Sequence, residues 1–241
     1  AMARPSCMRL FAKKGHSADW IKRHVSDRYV QKAQQDLYRS RAAYKLKQMD
    51  NDFSFLSKRS IVVDLGCFAG GWSQVALERI GAGHGRCLGM VIGVDKVRME
   101  PLDHHHRFVL GDVQEASTIQ RVQEELQGRR ASVVLSDMAP KMTGSKIDDH
   151  MASVELCRAA HRFAEAVLCE GGWYLTKIFA GALADQHRAE LGSRFQKVRI
   201  VKPPASRSES PELYFLCKHY LGNSDAQHDS SNTRVPNTAR G

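Results

Sequence analysis

The sequence predicts an α/β protein built on a seven-stranded, mostly parallel sheet. Three observations carry this. The stretch Ile61–Gln74 (IVVDLGCFAGGWSQ) joins a β-branched apolar strand to a glycine turn and a helix start. From there to residue 179, short apolar runs alternate with helix-length segments, the pattern of parallel strands linked by crossover helices. The last two apolar runs, 195–201 and 212–219, are joined by a loop (KPPASRSESP) too short for a crossover helix, so they pair as an antiparallel hairpin.

The chain's 241 residues suffice for one such domain with extensions. Residues 1–18 read as a basic arm or the remnant of an organellar transit peptide. Residues 19–222 form the domain, with a basic helical extension over 19–50, and 223–241 read as a polar disordered tail. No apolar run is long enough for a membrane span, and no membrane partner is expected. The six cysteines show no C-x-x-C pairing and read as reduced thiols, not a disulfide framework or zinc site.

The formal charge is +10, and it is concentrated. Residues 1–60 hold 14 Lys and Arg against 5 Asp and Glu; the other 181 residues hold 22 against 21. A basic quarter on a near-neutral domain is the footprint of a polyanion partner, or else a solvated, charged helix pair.

In chain order, helices are predicted over 19–28, capped by Ser17 or Asp19, and over 30–49. Arg28, Lys32, Arg39 and Arg41 with Tyr38 suit RNA, because arginine pairs with phosphate and aromatic rings stack on bases. The alternative is that Ala42, Tyr44 and Leu46 simply pack this helix onto the domain. Next come a strand that starts at Ile61 with Asp64 at its carboxyl end, a helix to about residue 80, a glycine-rich loop and strand 90–94. That strand ends in Asp95, where such folds hold the ribose hydroxyls of a nucleoside.

His104–His106 precede a third strand, 107–110; their neighbours do not make a ligand set, and no metal is expected. Asp112 follows that strand. Helix 117–126, strand 131–135 and the segment SDMAP come next, placing Asp137 where the strand order should switch. A helix over 148–168 is expected to stop at Gly171-Gly172. Strand 173–179 carries Lys177 among apolar residues, costly to bury without a partner, and a helix over 182–191 precedes the final hairpin.

The segments DLGCFAGGWSQ, GVD, SDMAP, LTKIF and SRSESPELYF occur in the order and spacing of the FtsJ/RrmJ family of RNA 2′-O-ribose methyltransferases, which the chain resembles from about residue 17 to 221. RIVKPPASRSESPELYFL and RRASVVLSDMAP most resemble its mitochondrial branch, which methylates a uridine ribose in large-subunit ribosomal RNA. The resemblance implies a Rossmann-like, S-adenosylmethionine-dependent methyltransferase fold acting in the mitochondrial matrix. The expected partner is rRNA within a large-subunit assembly intermediate, and the free protein is expected to be a monomer. It also implies a Lys-Asp-Lys-Glu tetrad on Lys45, Asp137, Lys177 and Glu212, with S-adenosylmethionine contacts on Gly66, Gly70, Gly71, Trp72, Asp95, Asp112 and Asp137. Lys177 would then accept the proton of the ribose hydroxyl or stay charged and stabilise its alkoxide.

Two positions depart from the family pattern. Cys67-Phe68-Ala69 stands where Ala-Ala-Pro is usual, freeing a backbone angle and adding an N–H, and Lys141 replaces an asparagine. The altered loop motivates a second reading, an RNA-binding assembly factor with this fold but little catalysis. A small-molecule methyltransferase would leave the basic N-terminal quarter unexplained.

Overall fold

The computed structural model describes residues 25–83 and 87–222. Helices α1 (Arg28–Gln35) and α2 (Ala43–Phe53) lead into β1 (Ile61–Leu65) and α3 (Gly71–Ile80). Strands β2 (Met90–Asp95) and β3 (His106–Leu110), helix α4 (Ala116–Leu126) and strand β4 (Ala131–Ser136) follow. The long helix α5 (Lys146–Val167), β5 (Leu168–Phe179), α6 (Ala184–Gly192), β6 (Phe195–Val201) and β7 (Glu212–Tyr220) complete the order.

The seven strands form one sheet in the order β3-β2-β1-β4-β5-β7-β6. The first five run parallel, and β7 pairs antiparallel with both β5 and β6. The sheet class and the terminal hairpin are therefore those expected. The strand order reverses between β1 and β4, which leaves a crevice at their carboxyl ends.

Alternation along the strands feeds two apolar layers. Val63, Tyr174 and Phe195 pack against Phe163 and its neighbours on α5. Val62, Leu135, Leu175 and Tyr214 pack on the other face against Leu46 and Met49 of α2 and Val75 of α3.

Two expectations are corrected. The segment expected as one helix over 30–49 is broken between α1 and α2, with Leu37 at φ +61°. Tertiary contacts override the helical pattern there. Tyr38 is drawn under α3, its hydroxyl donating to Glu78 Oε2 at 2.8 Å, and the Tyr44 hydroxyl donates to Asp36 Oδ2 at 2.6 Å. Second, Gly171-Gly172 do not stop α5, which passes directly into β5 at Leu168. Instead the glycines accommodate a bulge: Ala131 faces Leu168 but Val133 faces Trp173. The basic arm, most of helix 19–28 with its caps, and the tail lie outside the described residues.

Helix α2 is held by burial of Leu46 and Met49, both without exposed surface. Leu46→Ala is expected to lower stability by about 2–5 kcal/mol, the usual cost of a cavity at such a site, read as a shifted midpoint in urea unfolding.

Candidate active site

The end of β1 sets the crevice. Asp64 is fully buried and accepts from Ser73 Oγ at 2.7 Å. Burial pushes its carboxyl up to about 7; the Ser73 hydrogen bond opposes this, and the nearby Asp137 and Asp95 charges add to it. Gly66 follows at φ +75°, and a Cβ there would meet Met138 Cγ at 2.3 Å. Gly70, at φ +107°, caps α3, and the Arg39 stem lies 3.1 Å from where its Cβ would be.

Between the ends of β1, β2, β3 and β4 lies a cavity of about 700 Å³. Gly66, Phe68, Asp95, Asp112, Asp137 and Met138 are in its wall. The backbone N–H groups of Phe68 and Val97 donate to Asp95 at 2.9 and 2.8 Å and fix its carboxylate. Asp112 accepts from Gln114 N at 3.0 Å and pairs with Lys96 Nζ at 2.6 Å; the Lys96 hydrogen bond holds its carboxyl below the usual range. Phe68, half-exposed, is the bulky residue of the departing loop. A cavity of this size with oriented carboxylates fits a nucleoside-bearing ligand, whose sugar hydroxyls are donors.

Beside the cavity stand the four tetrad positions. Lys177, on β5, donates to the Asp137 backbone carbonyl at 2.6 Å and lies 3.1 Å from Asp137 Oδ1. Lys45, on α2, pairs with Glu212 Oε1, at the start of β7, at 2.7 Å. Burial raises the Asp137 carboxyl, but the Lys177 and Lys45 charges and the Tyr214 hydroxyl outweigh it and hold it below its ordinary value. The lysine embedded in β5 thus has a partner, and two cations at the sheet edge are matched by two carboxylates.

Tyr214 was not among the residues picked out from the sequence. Its hydroxyl donates to Asp137 Oδ1 at 2.7 Å, and Lys45 Nζ lies 5.8 Å from its ring centre. It sits two residues after Glu212 on β7 and faces Lys177 across the ladder, so strand alternation was the available signal.

Three expectations change. Trp72 does not line the cavity: its indole donates to the Ala42 carbonyl at 2.8 Å and its ring packs near Tyr214, so only its backbone remains near the loop. Tyr38 is buried, with its hydroxyl on Glu78, and offers no stacking face. Arg41 places its guanidinium on the Asp27 carboxylate and the Ala205 carbonyl, tying α1 and α2 to the loop before β7. Arg28 and Lys32 are exposed, each beside a tyrosine ring, and Arg39 is exposed against Gly70. Gly70 and Gly71 sit at the start of α3 outside the cavity wall. Of the histidine run, His106 turns inward, while Asp103, His104 and His105 bring one ligand atom each within 4.8 Å of one another.

A family model described as FtsJ-like methyltransferase matches residues 38–220. A protein of Dechloromonas aromatica named ribosomal RNA large subunit methyltransferase E is 40% identical over 200 residues, covering 83% of this chain and 95% of that protein. One of the same name from Halorubrum lacusprofundi is 42% identical over 193 residues, covering 80% and 70%. A solved structure from Plasmodium falciparum, described as a ribosomal RNA methyltransferase, superposes with a TM-score of 0.69 at 35% identity, covering 77% of this chain and all of that one.

Asp64 gives the site a pH signature. Its folded-state pKa lies above the unfolded value, so the folded state holds the extra proton and stability falls as pH rises from about 4 to 7. Asp64→Asn is expected to flatten that part of the profile, measured as unfolding free energy against pH for both proteins.

Proposed function

This chain belongs to the FtsJ-like methyltransferase family, and from that premise we propose that it transfers a methyl group from S-adenosylmethionine to the ribose 2′-hydroxyl of a uridine in mitochondrial large-subunit rRNA, during ribosome assembly. The observation that carries the chemistry is the junction of the 700 Å³ cavity with the paired Lys177–Asp137 and Lys45–Glu212 groups. The names of the relatives support rRNA as substrate. The mitochondrial setting and the uridine rest on the resemblance of RIVKPPASRSESPELYFL and RRASVVLSDMAP to that branch. Action on an assembly intermediate by a protein that is monomeric when free belongs to the same reading.

Gly66, Asp95 and Asp112 would hold the donor's nucleoside, the Asp95 carboxylate taking the sugar hydroxyls. When bound, S-adenosylmethionine supplies a methyl already activated on a sulfonium, so the reading requires no metal. The chain's own residues then need to position and deprotonate the acceptor. Alignment of the 2′-hydroxyl accounts for roughly 7–11 kcal/mol of barrier reduction in well-oriented reactions. Lys177 would meet that hydroxyl, accepting its proton or stabilising the alkoxide as it forms. Asp137 orients Lys177 from two sides, through its carboxylate and its carbonyl. Glu212 holds Lys45 through its carboxylate alone, and Tyr214 fixes the Asp137 carboxylate.

Lys177→Met removes the charge but keeps the stem. It is expected to lower kcat by about three orders of magnitude with S-adenosylmethionine affinity, read by calorimetry, intact. Tyr214→Phe is expected to cost about ten-fold in kcat, the worth of one hydrogen bond to a charged group. A folded wild-type protein that incorporates no methyl into any assembly-stage rRNA would sink the reading. If the same protein binds rRNA but no S-adenosylmethionine, the altered loop at Phe68 has made it a binding factor. Ribose-methylation mapping of organellar rRNA with and without the protein tests the mitochondrial assignment.

A further inference from the structure

At the far end of the sheet face that bears the tetrad, three cations cluster beside a single carboxylate. Alternation and ladder register put Glu212, Tyr214, Leu216 and Lys218 of β7 on one face, in rows with Phe179, Lys177, Leu175 and Trp173 of β5. On the outer side, Lys197 faces Lys218 and Arg199 faces Leu216. The row farthest from the tetrad therefore reads Trp173–Lys218–Lys197, with Arg199 next to it. Like charges directly opposite on neighbouring strands are destabilising, so this arrangement is not what a stable sheet selects for its own sake.

The three cations, with Phe53, Trp173, Leu216 and one acid, Asp52, line a second cavity of about 300 Å³. Among the described residues, Lys197, Arg199 and Lys218 make no salt bridge. Aromatic rings steady two of them instead: Lys218 Nζ lies 5.1 Å from the Trp173 ring centre and the Arg199 guanidinium 5.6 Å from that of Phe53. The two rings hold these cations in place at the patch. The chemistry of the patch is anion recognition.

Its distance from the tetrad is readable twice. Trp173 to Lys177 is four residues of β5, about 13 Å at ~3.3 Å each. Lys45 to Phe53 is eight residues of α2, about 12 Å at ~1.5 Å each. The helix therefore carries a tetrad lysine at one end and an edge of the patch at the other.

We propose that Lys197, Arg199 and Lys218 form a second RNA contact, a sequence-independent clamp on the sugar-phosphate backbone of the substrate roughly 13 Å from the reacting ribose. The partner's class rests on the rRNA reading above. The clamp adds affinity and register without touching the target base, and it lies outside the N-terminal segment in which the sequence concentrates positive charge.

The test replaces Lys197, Arg199 and Lys218 by glutamine, singly and together, which keeps polar side chains on the strand. Lys197→Glu, at an exposed position, serves as a variant with little risk to folding. Binding to transcribed, protein-free large-subunit rRNA is measured as a function of salt, beside methyl transfer to the same RNA and to assembly particles. For the triple variant, the log–log salt slope is expected to shrink by about 2–3, since each phosphate contact contributes ~0.7–0.9, and affinity to fall on the order of ten-fold or more. KM for the RNA rises while kcat and S-adenosylmethionine affinity stay at wild-type values. Unchanged affinity and slope in the triple variant and Lys197→Glu would overturn the clamp. So would a defect confined to particles, which would assign the patch to a protein neighbour. Because binding and methyl transfer are read separately, a wild type that binds RNA with a steep salt slope yet transfers no methyl refutes the enzyme reading and leaves the clamp to be judged by its slope. A wild type with no RNA affinity overturns both.

Discussion

The Asp137 carboxylate is the constraint on which the rest of the site depends. It stands just beyond the end of β4, half-buried, beside a lysine that β5 cannot carry among apolar neighbours without a counter-charge. Desolvating the carboxylate is unfavourable, and the charges of Lys177 and Lys45 and the Tyr214 hydroxyl more than offset this. Removing one member of such a pair leaves an uncompensated buried charge, a change of about 3–5 kcal/mol in other proteins. The same pairing on which the proposed chemistry draws therefore also fixes β4 against β5 and β7 at those ends. Lys45 and Glu212 repeat the arrangement at the helix–strand boundary, joining an early helix to the last strand.

Around that centre the two faces of the sheet divide the work. One face is closed by α4, α5 and α6 over a largely apolar layer. The other is covered by α2 and α3, and there the apolar layer ends in polar groups at both extremes: the tetrad at one end of β5 and β7, the cationic row at the other. Helix α2 lies between them as a spacer, which explains why a helix of modest amphipathicity is packed so completely at Leu46 and Met49.

Much of this was legible in the residues. Strands of β-branched residues ending in Asp64, Asp95 and Ser136 announce a parallel sheet, and a short loop before Glu212 announces the antiparallel turn. Lys45, Asp137, Lys177 and Glu212 stand out as a set through the resemblance of their motifs to the FtsJ/RrmJ family. What was not legible depends on contacts distant in sequence. Helical periodicity does not register that Tyr38 finds Glu78 forty residues on, so the break after Gln35 was invisible. Arg41 looks like a phosphate ligand until Asp27 and Ala205 are seen beside it. Trp72, next to the glycine loop, looks like a cofactor residue, but helical geometry turns its ring to the opposite side of the sheet. Tyr214 and the patch around Lys218 emerge only when the ladder register is known, because a hairpin sequence does not state which residues face each other.

The insertion of β7 between β5 and β6 has a consequence for how the molecule comes into being. β5 must wait for a strand that follows every other strand in the chain, and until β7 arrives its open edge displays unpaired backbone groups. Glu212 and Tyr214 travel on that same strand, so Lys45 and Asp137 lack these partners throughout the interval. A nascent or truncated chain can therefore build most of the cofactor crevice, and expose its basic N-terminal segment to RNA, while having no competent site. Completion of the sheet and the onset of chemistry become a single late, non-local event, of the kind that folds slowly and is prone to aggregation while it waits.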